Sequence, residues 1–179
     1  MIYNDFQKIP KITHAHYRIN VSWLYLEDQI TQMSEGLELI IEPEFQRAHV
    51  WTDEQRTKYI EWVLRGGKSG KDILWNCAGW MGKFTGPVYL VDGLQRITAV
   101  RKFLNNEIPA FGTLYKDFSG YLDILTADFI FYVNDLESYT DILKWYLDIN
   151  SGGTIHTEEE IEKVKILLEK EKMNITSKS

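Results

Sequence analysis

Asp92, Gly93, Gln95 and Arg96 stand almost side by side in the chain. These are a carboxylate, a residue without a side chain, an amide and a guanidinium. Together they suit phosphate chemistry. A guanidinium grips an anion with two parallel hydrogen bonds. A carboxylate can bind Mg2+ or take a proton. An amide such as Gln95 can orient an attacking water. Asp92 cannot lie beside a phosphate unshielded, because like charges repel. It must bind a metal, act as a base, or point away and fix the loop. A plainer reading also exists. Asp92 would cap a helix, Gln95 would complete a capping-box-like pair, and Arg96 would merely pair with Asp92.

The surrounding sequence must position these groups. Val88 to Val91 is a short apolar run behind Pro87, the signature of a buried strand. Asp92-Gly93 breaks it. Leu94, Ile97, Val100 and Leu104 then recur at helical spacing. A strand that passes straight into a helix leaves the first helical N–H groups open, and with the helix dipole these attract an anion. Arg96 lies near the positive end of that helix, where a cation loses about 0.3–1 kcal/mol unless it faces an anion.

A second stretch, Ile41 to Trp51, holds Pro43, Phe45, Gln46 and Arg47 between an apolar run (Leu37 to Ile41) and a helix start. Thr52-Asp53-Glu54-Gln55 is a full capping box, opening a helix to about Arg65 that Gly66-Gly67 stops. Arg47 and Arg96 each follow a strand end, and strand ends on one sheet edge share a crevice. The two arginines are expected to converge on one site. The plainer reading pairs Arg47 with Glu42 or Glu44. Trp51 is read either as a stacking surface for a base or as core.

Other elements follow from the same rules. Ser22 caps a helix over 23–34 that Gly36 ends. Ile73 to Trp75 is a strand, Asn76 to Thr85 a hairpin-like loop, Asn105 to Gly112 a turn, and Phe129 to Val133 a strand. A helix starts at Ser138 or Thr140 and ends near Ile149 to Gly153. Thr157-Glu158-Glu159-Glu160 is a capping box for a last helix over 161–172. Gly66 to Lys71 lacks the spacing of a phosphate loop and reads as a flexible connector. His14 and His16 share one face of an edge strand without a third metal ligand nearby. Residues 173–179 read as a disordered tail.

Composition bounds the class. The chain has 179 residues, 44% apolar and 26% charged, as in a single soluble domain, here over residues 1–172. Its net charge of -6 opposes broad electrostatic capture of nucleic acid. One cysteine, Cys77, excludes an internal disulfide and reads as a small buried hydrophobe. No signal peptide or membrane span is evident, which implies a cytoplasmic protein.

Three motifs occur in order: Pro43-x-Phe45-Gln46-Arg47-x-x-Val50-Trp51, Val91-Asp92-Gly93-Leu94-Gln95-Arg96-Ile97-Thr98, and Ile149-Asn150-x-Gly152-Gly153 before a Glu-rich helix. In this arrangement the chain resembles the domain of unknown function 262 family of the ParB/sulfiredoxin-like superfamily, over about residues 20–170. The usual central motif is Asp-Gly-Gln-Gln-Arg, and Leu94 replaces its first glutamine here. The resemblance implies an α/β fold, with a small mixed sheet flanked by helices. It implies a nucleotide phosphate site at Gln46, Arg47, Gly93, Leu94, Arg96 and Asn150. Asp92, Gln95 and Arg96 would do the chemistry, with Asp92 also a Mg2+ ligand. Relatives couple nucleoside triphosphate hydrolysis to a His-Asn-His nuclease in restriction and phage-defence systems. The last histidine here is His156, so this chain is not expected to cut DNA alone.

Three readings of function follow. The first is a Mg2+-dependent enzyme that hydrolyses a nucleoside triphosphate or transfers its phosphoryl group, in phage defence or counter-defence, with a protein partner supplying an effector. The second is a DNA-binding or DNA-acting protein. The third is a degenerate domain that regulates a partner without catalysis.

Overall fold

The computed structural model describes residues 5, 8–9, 17–46, 51–80, 82–151 and 158–176. Five strands form one mixed sheet: β1 (Tyr17–Ser22), β2 (Leu39–Ile40), β3 (Asp72–Cys77), β4 (Val88–Asp92) and β5 (Asp128–Asn134). Five α-helices accompany them: α1 (Leu26–Leu37), α2 (Asp53–Leu64), α3 (Leu94–Leu104), α4 (Tyr139–Ser151) and α5 (Glu158–Thr176). This is the α/β architecture expected from the sequence.

The strand order is β1-β5-β3-β4-β2. β4 runs antiparallel to β3 and parallel to β2, whereas β5 runs parallel to β3 and antiparallel to β1. Side chains alternate across a strand, and the cores follow that period. Val88 and Leu90 of β4, with Ile73, Trp75 and Cys77 of β3, join a core with α1, α2 and α3. Tyr89, Val91 and Leu74 join a second core with α4 and Val164 of α5. Helices therefore cover both faces, which explains why the central strands read as continuous apolar runs.

Local signals placed the helices well. Ser22 accepts a hydrogen bond from the Leu24 N–H and opens a 3-10 turn (Trp23–Tyr25) that leads into α1. Thr52 and Gln55 form both arms of a capping box on α2. Ser138 accepts from the Asp141 N–H at the start of α4. Gly36, expected to end α1, lies inside it; Glu38 turns the chain instead, at φ 54°.

Two further expectations are corrected. Residues 66–71 are not merely a connector: Lys71 is buried, and its Nζ donates to the Thr126 carbonyl at 2.6 Å and to Asp128 at 2.8 Å. Asn20 donates to the other Asp128 oxygen at 2.6 Å. α5 runs on through Thr176, past Met173, where a disordered tail was expected. His14 and His16 lie outside the described residues. No helix among the described residues is long and apolar enough to cross a membrane. Cys77 is free and buried, and burial pushes its thiol up to about 11, so it is inert at neutral pH.

Candidate functional site

The site is built where β4 meets α3. Gly93 ends the strand at φ 117° and forms the N-cap of α3 without any side-chain cap. Its carbonyl accepts from the Ile97 N–H at 3.0 Å. The expected cap by Asp92 is therefore absent, and the capping-box role of Gln95 with it. A Cβ at position 93 would lie 2.5 Å from Ile73 Cδ1, so glycine is needed here for both the backbone angle and close packing on β3. Leu94 turns into the core and can offer a ligand only its backbone N–H.

Asp92 continues the parity of Val88 and Leu90, toward the α1–α3 side of the sheet. An Nη of Arg96 donates to Asp92 Oδ2, one helical turn back. Asp92 is the more open partner, at 43% side-chain exposure against 19% for Arg96. The pair uses only part of the guanidinium: Arg96 Nε is buried without a hydrogen-bond partner among the described residues. Tyr59 of α2 lies nearby. Burial raises its phenol pKa well above normal, and the Arg96 charge pulls the other way. Its hydroxyl donates to the Gly70 carbonyl at 2.9 Å.

The second motif reaches the same place. Parallel pairing of β2 with β4 (Leu39 with Val88, Ile40 with Tyr89) sends both strand ends to one end of the sheet. Phe45 anchors the loop after β2. It is buried, with its ring 5.1 Å from that of Tyr146 and 6.3 Å from that of Tyr89. Gln46 follows in a turn whose N–H reaches the Pro43 carbonyl at 2.8 Å. Its Oε1 is buried without a partner among the described residues. At the far end of the loop, the Trp51 N–H donates to Gln95 Oε1 at 3.2 Å. The Trp51 ring packs on Tyr59 at 5.5 Å, as part of the core. The second-motif loop is thus tied to the first turn of α3 at Trp51. Arg47 itself lies outside the described residues.

The structure therefore brings Asp92, Gly93, Leu94, Gln95 and Arg96 together, with the end of the Gln46 loop bound to Gln95. Asn150 stands apart by its contacts: its Nδ2 donates to the Tyr146 carbonyl, 2.7 Å away in the same helix. The Tyr146 ring in turn packs on Phe45, which links the Asn150 helix to the loop. Among the described residues no cluster of three or more His, Cys, Asp or Glu side chains could hold a metal alone. Sequence reasoning missed Tyr59, whose signal was only an apolar-face position on α2.

A family model matches residues 26–174, and its description is GmrSD restriction endonuclease, N-terminal domain. The chain belongs to that family. The GmrSD N-terminal domain is the ParB-like domain of unknown function 262, so the resemblance drawn from the three motifs holds. All three motifs fall inside the matched span, and β1 precedes it. No curated protein and no solved structure matches the chain.

Proposed function

We propose that the β4–α3 turn holds the phosphates of a nucleoside triphosphate, and that the domain hydrolyses it or transfers its terminal phosphoryl group. The observation that carries this reading is the half-used guanidinium of Arg96. A buried N–H without a partner loses about 1–3 kcal/mol. A phosphate oxygen would accept from Arg96 Nε at the positive end of the α3 dipole. Gln46 Oε1, buried and unpartnered beside its turn, would accept from a hydroxyl or amine of the same ligand. Arg47, the next residue in the sequence, would add a second cation.

Phosphoryl transfer depends chiefly on positioning and charge stabilisation. Arg96 would follow the charge as it shifts onto the leaving oxygens. Gln95 already spends its carbonyl on Trp51, which holds the loop against the site. Mg2+ would neutralise phosphate charge when bound. One half-open carboxylate, Asp92, suits an ion that keeps several waters and takes its other ligands from phosphate. Asn150 would act through the fold of the loop or contact the nucleotide directly.

The family's name places its members in restriction, and we read this chain as a component of phage defence or counter-defence, with a protein partner supplying an effector. Core burial of Leu94, in place of the usual glutamine, favours a second reading in which nucleotide binds without turnover. Thermal unfolding with each nucleoside triphosphate, with and without Mg2+, tests both. A ligand at about a hundred times its Kd adds about 2.7 kcal/mol, a rise of about 5–10 °C for a chain of this size. No shift with any nucleotide would refute the phosphate site. A shift without phosphate release would select the second reading.

A further inference from the structure

The Arg96 guanidinium already holds an anion. One of its Nη groups donates to Asp92 Oδ2. A carboxylate and a phosphate compete for the same N–H groups. Placed side by side, the two anions also repel. Asp92 therefore takes part of the grip that a phosphate would need. A phosphate gains the whole guanidinium only if the carboxylate turns away or its charge is offset.

The two partners are held differently. Arg96 has 19% side-chain exposure and sits on the first turn of α3 between the buried residues Leu94 and Ile97. Its Nε is wholly buried. Moving this side chain outward would carry a packed stem into water. Asp92 has 43% side-chain exposure and is the last residue of β4. Its short side chain already meets solvent, so turning its carboxylate away uncovers little. Asp92 is thus the partner that can yield, and Arg96 the one that stays.

The donor set says what would draw Asp92 away. Among the described residues no group of three or more His, Cys, Asp or Glu side chains could hold a metal ion by itself. A single half-open carboxylate suits Mg2+ that keeps several waters and takes its other ligands from phosphate. Resting on the reading of Arg96 as a phosphate clamp, we propose that Asp92 makes the site selective for the Mg2+ complex of a nucleoside triphosphate over the free nucleotide. Without the ion, Asp92 occupies Arg96 and repels the phosphates. With it, the carboxylate turns to the cation and releases the guanidinium. The Asp92–Arg96 pair is then an autoinhibitory contact that the correct form of the ligand opens.

The test is calorimetric titration of ATP, GTP, CTP and UTP into the full chain and into Asp92→Asn, each in EDTA and with excess Mg2+. Asparagine keeps the size and an oxygen that can accept from Arg96, but it carries no charge. The parent should bind its preferred nucleotide at least about tenfold tighter with Mg2+ than in EDTA. In EDTA, Asp92→Asn should bind at least about tenfold tighter than the parent and should lose most of the response to Mg2+. Loss of a merely structural contact would not raise affinity. Should Asp92→Asn misfold by circular dichroism, Asp92→Ser also removes the charge and should show the same gain. Equal affinity of the parent with and without Mg2+ would overturn the proposal and leave the phosphate site standing. Unchanged or weaker binding by the folded variant in EDTA would do the same. No binding of any of the four nucleotides in either condition would overturn both.

Discussion

Gly93→Ala should unfold more of this protein than any other single methyl addition at the β4–α3 turn. Alanine at φ 117° is strained by about 1–3 kcal/mol. Its Cβ would lie 2.5 Å from Ile73 Cδ1 and 3.2 Å from Ile73 Cγ2. Ile73 is fully buried, so its displacement adds about 1–3 kcal/mol of overpacking. The two together give about 2–6 kcal/mol, a large share of the stability of a domain this size. Ile73→Val removes the nearer atom and alone should destabilise by about 0.5–1.5 kcal/mol. In the alanine background it should relieve part of the clash, so the double variant should lose about 1 kcal/mol less than the sum of the singles. Urea unfolding of the four proteins, followed by circular dichroism, measures this. A loss under about 1 kcal/mol for Gly93→Ala, or strictly additive effects, would refute the reasoning and return Gly93 to a ligand-facing role.

Lys71→Met should destabilise by about 3–5 kcal/mol, because Asp128 would stay buried with only Asn20 to satisfy it; urea unfolding checks this, and a loss below 1 kcal/mol would mean that the carboxylate reaches water. Arg101→Ala should have a small, pH-dependent effect. The hydrogen bond from Arg101 lowers the Glu27 carboxyl pKa in the folded chain, so its stabilisation is present above the usual carboxylate range and lost as pH falls through the lowered value. Because Glu27 is half exposed, the effect at pH 7 should stay under about 1 kcal/mol, and unfolding curves of variant and parent should converge in acid. Arg96→Lys should keep the melting temperature within a few degrees while losing nucleotide-induced stabilisation, because lysine retains the charge but not the two-pronged grip.

Much of the fold was legible because its signals are local. The run Val88 to Val91, the break at Asp92-Gly93 and the spacing of Leu94, Ile97 and Val100 required no knowledge of the rest of the chain. The Thr52 capping box and the Ser138 cap are likewise contained within a few residues. What stayed hidden depends on distant partners. Lys71 looked like part of a solvated Gly-Lys run, because its carboxylate arrives from β5, 57 residues later. Gln95 looked like half of a capping box, because the N–H that it accepts belongs to Trp51, 44 residues earlier. That a Cβ at position 93 would press on Ile73 shows only in the fold, because Ile73 comes from the neighbouring strand. α5 outran its expected end because Met173 to Thr176 carries no Gly or Pro to break the helix. The pairing of Arg96 with Asp92 was expected, and the unpartnered Nε beside it became visible only in three dimensions.

The claim that Arg96 serves a phosphate is tested most directly by calorimetric titration of Mg2+-bound nucleoside triphosphates into the parent chain and into Arg96→Ala. Circular dichroism should show both folded, since the Asp92–Arg96 pair is partly exposed and its loss removes about 0–1 kcal/mol. The parent should bind, and the variant's affinity should be lower by about ten- to a hundredfold, the equivalent of about 1.5–3 kcal/mol for one charged hydrogen bond to ligand. Equal affinity in the two proteins would contradict it and leave Arg96 as no more than the partner of Asp92.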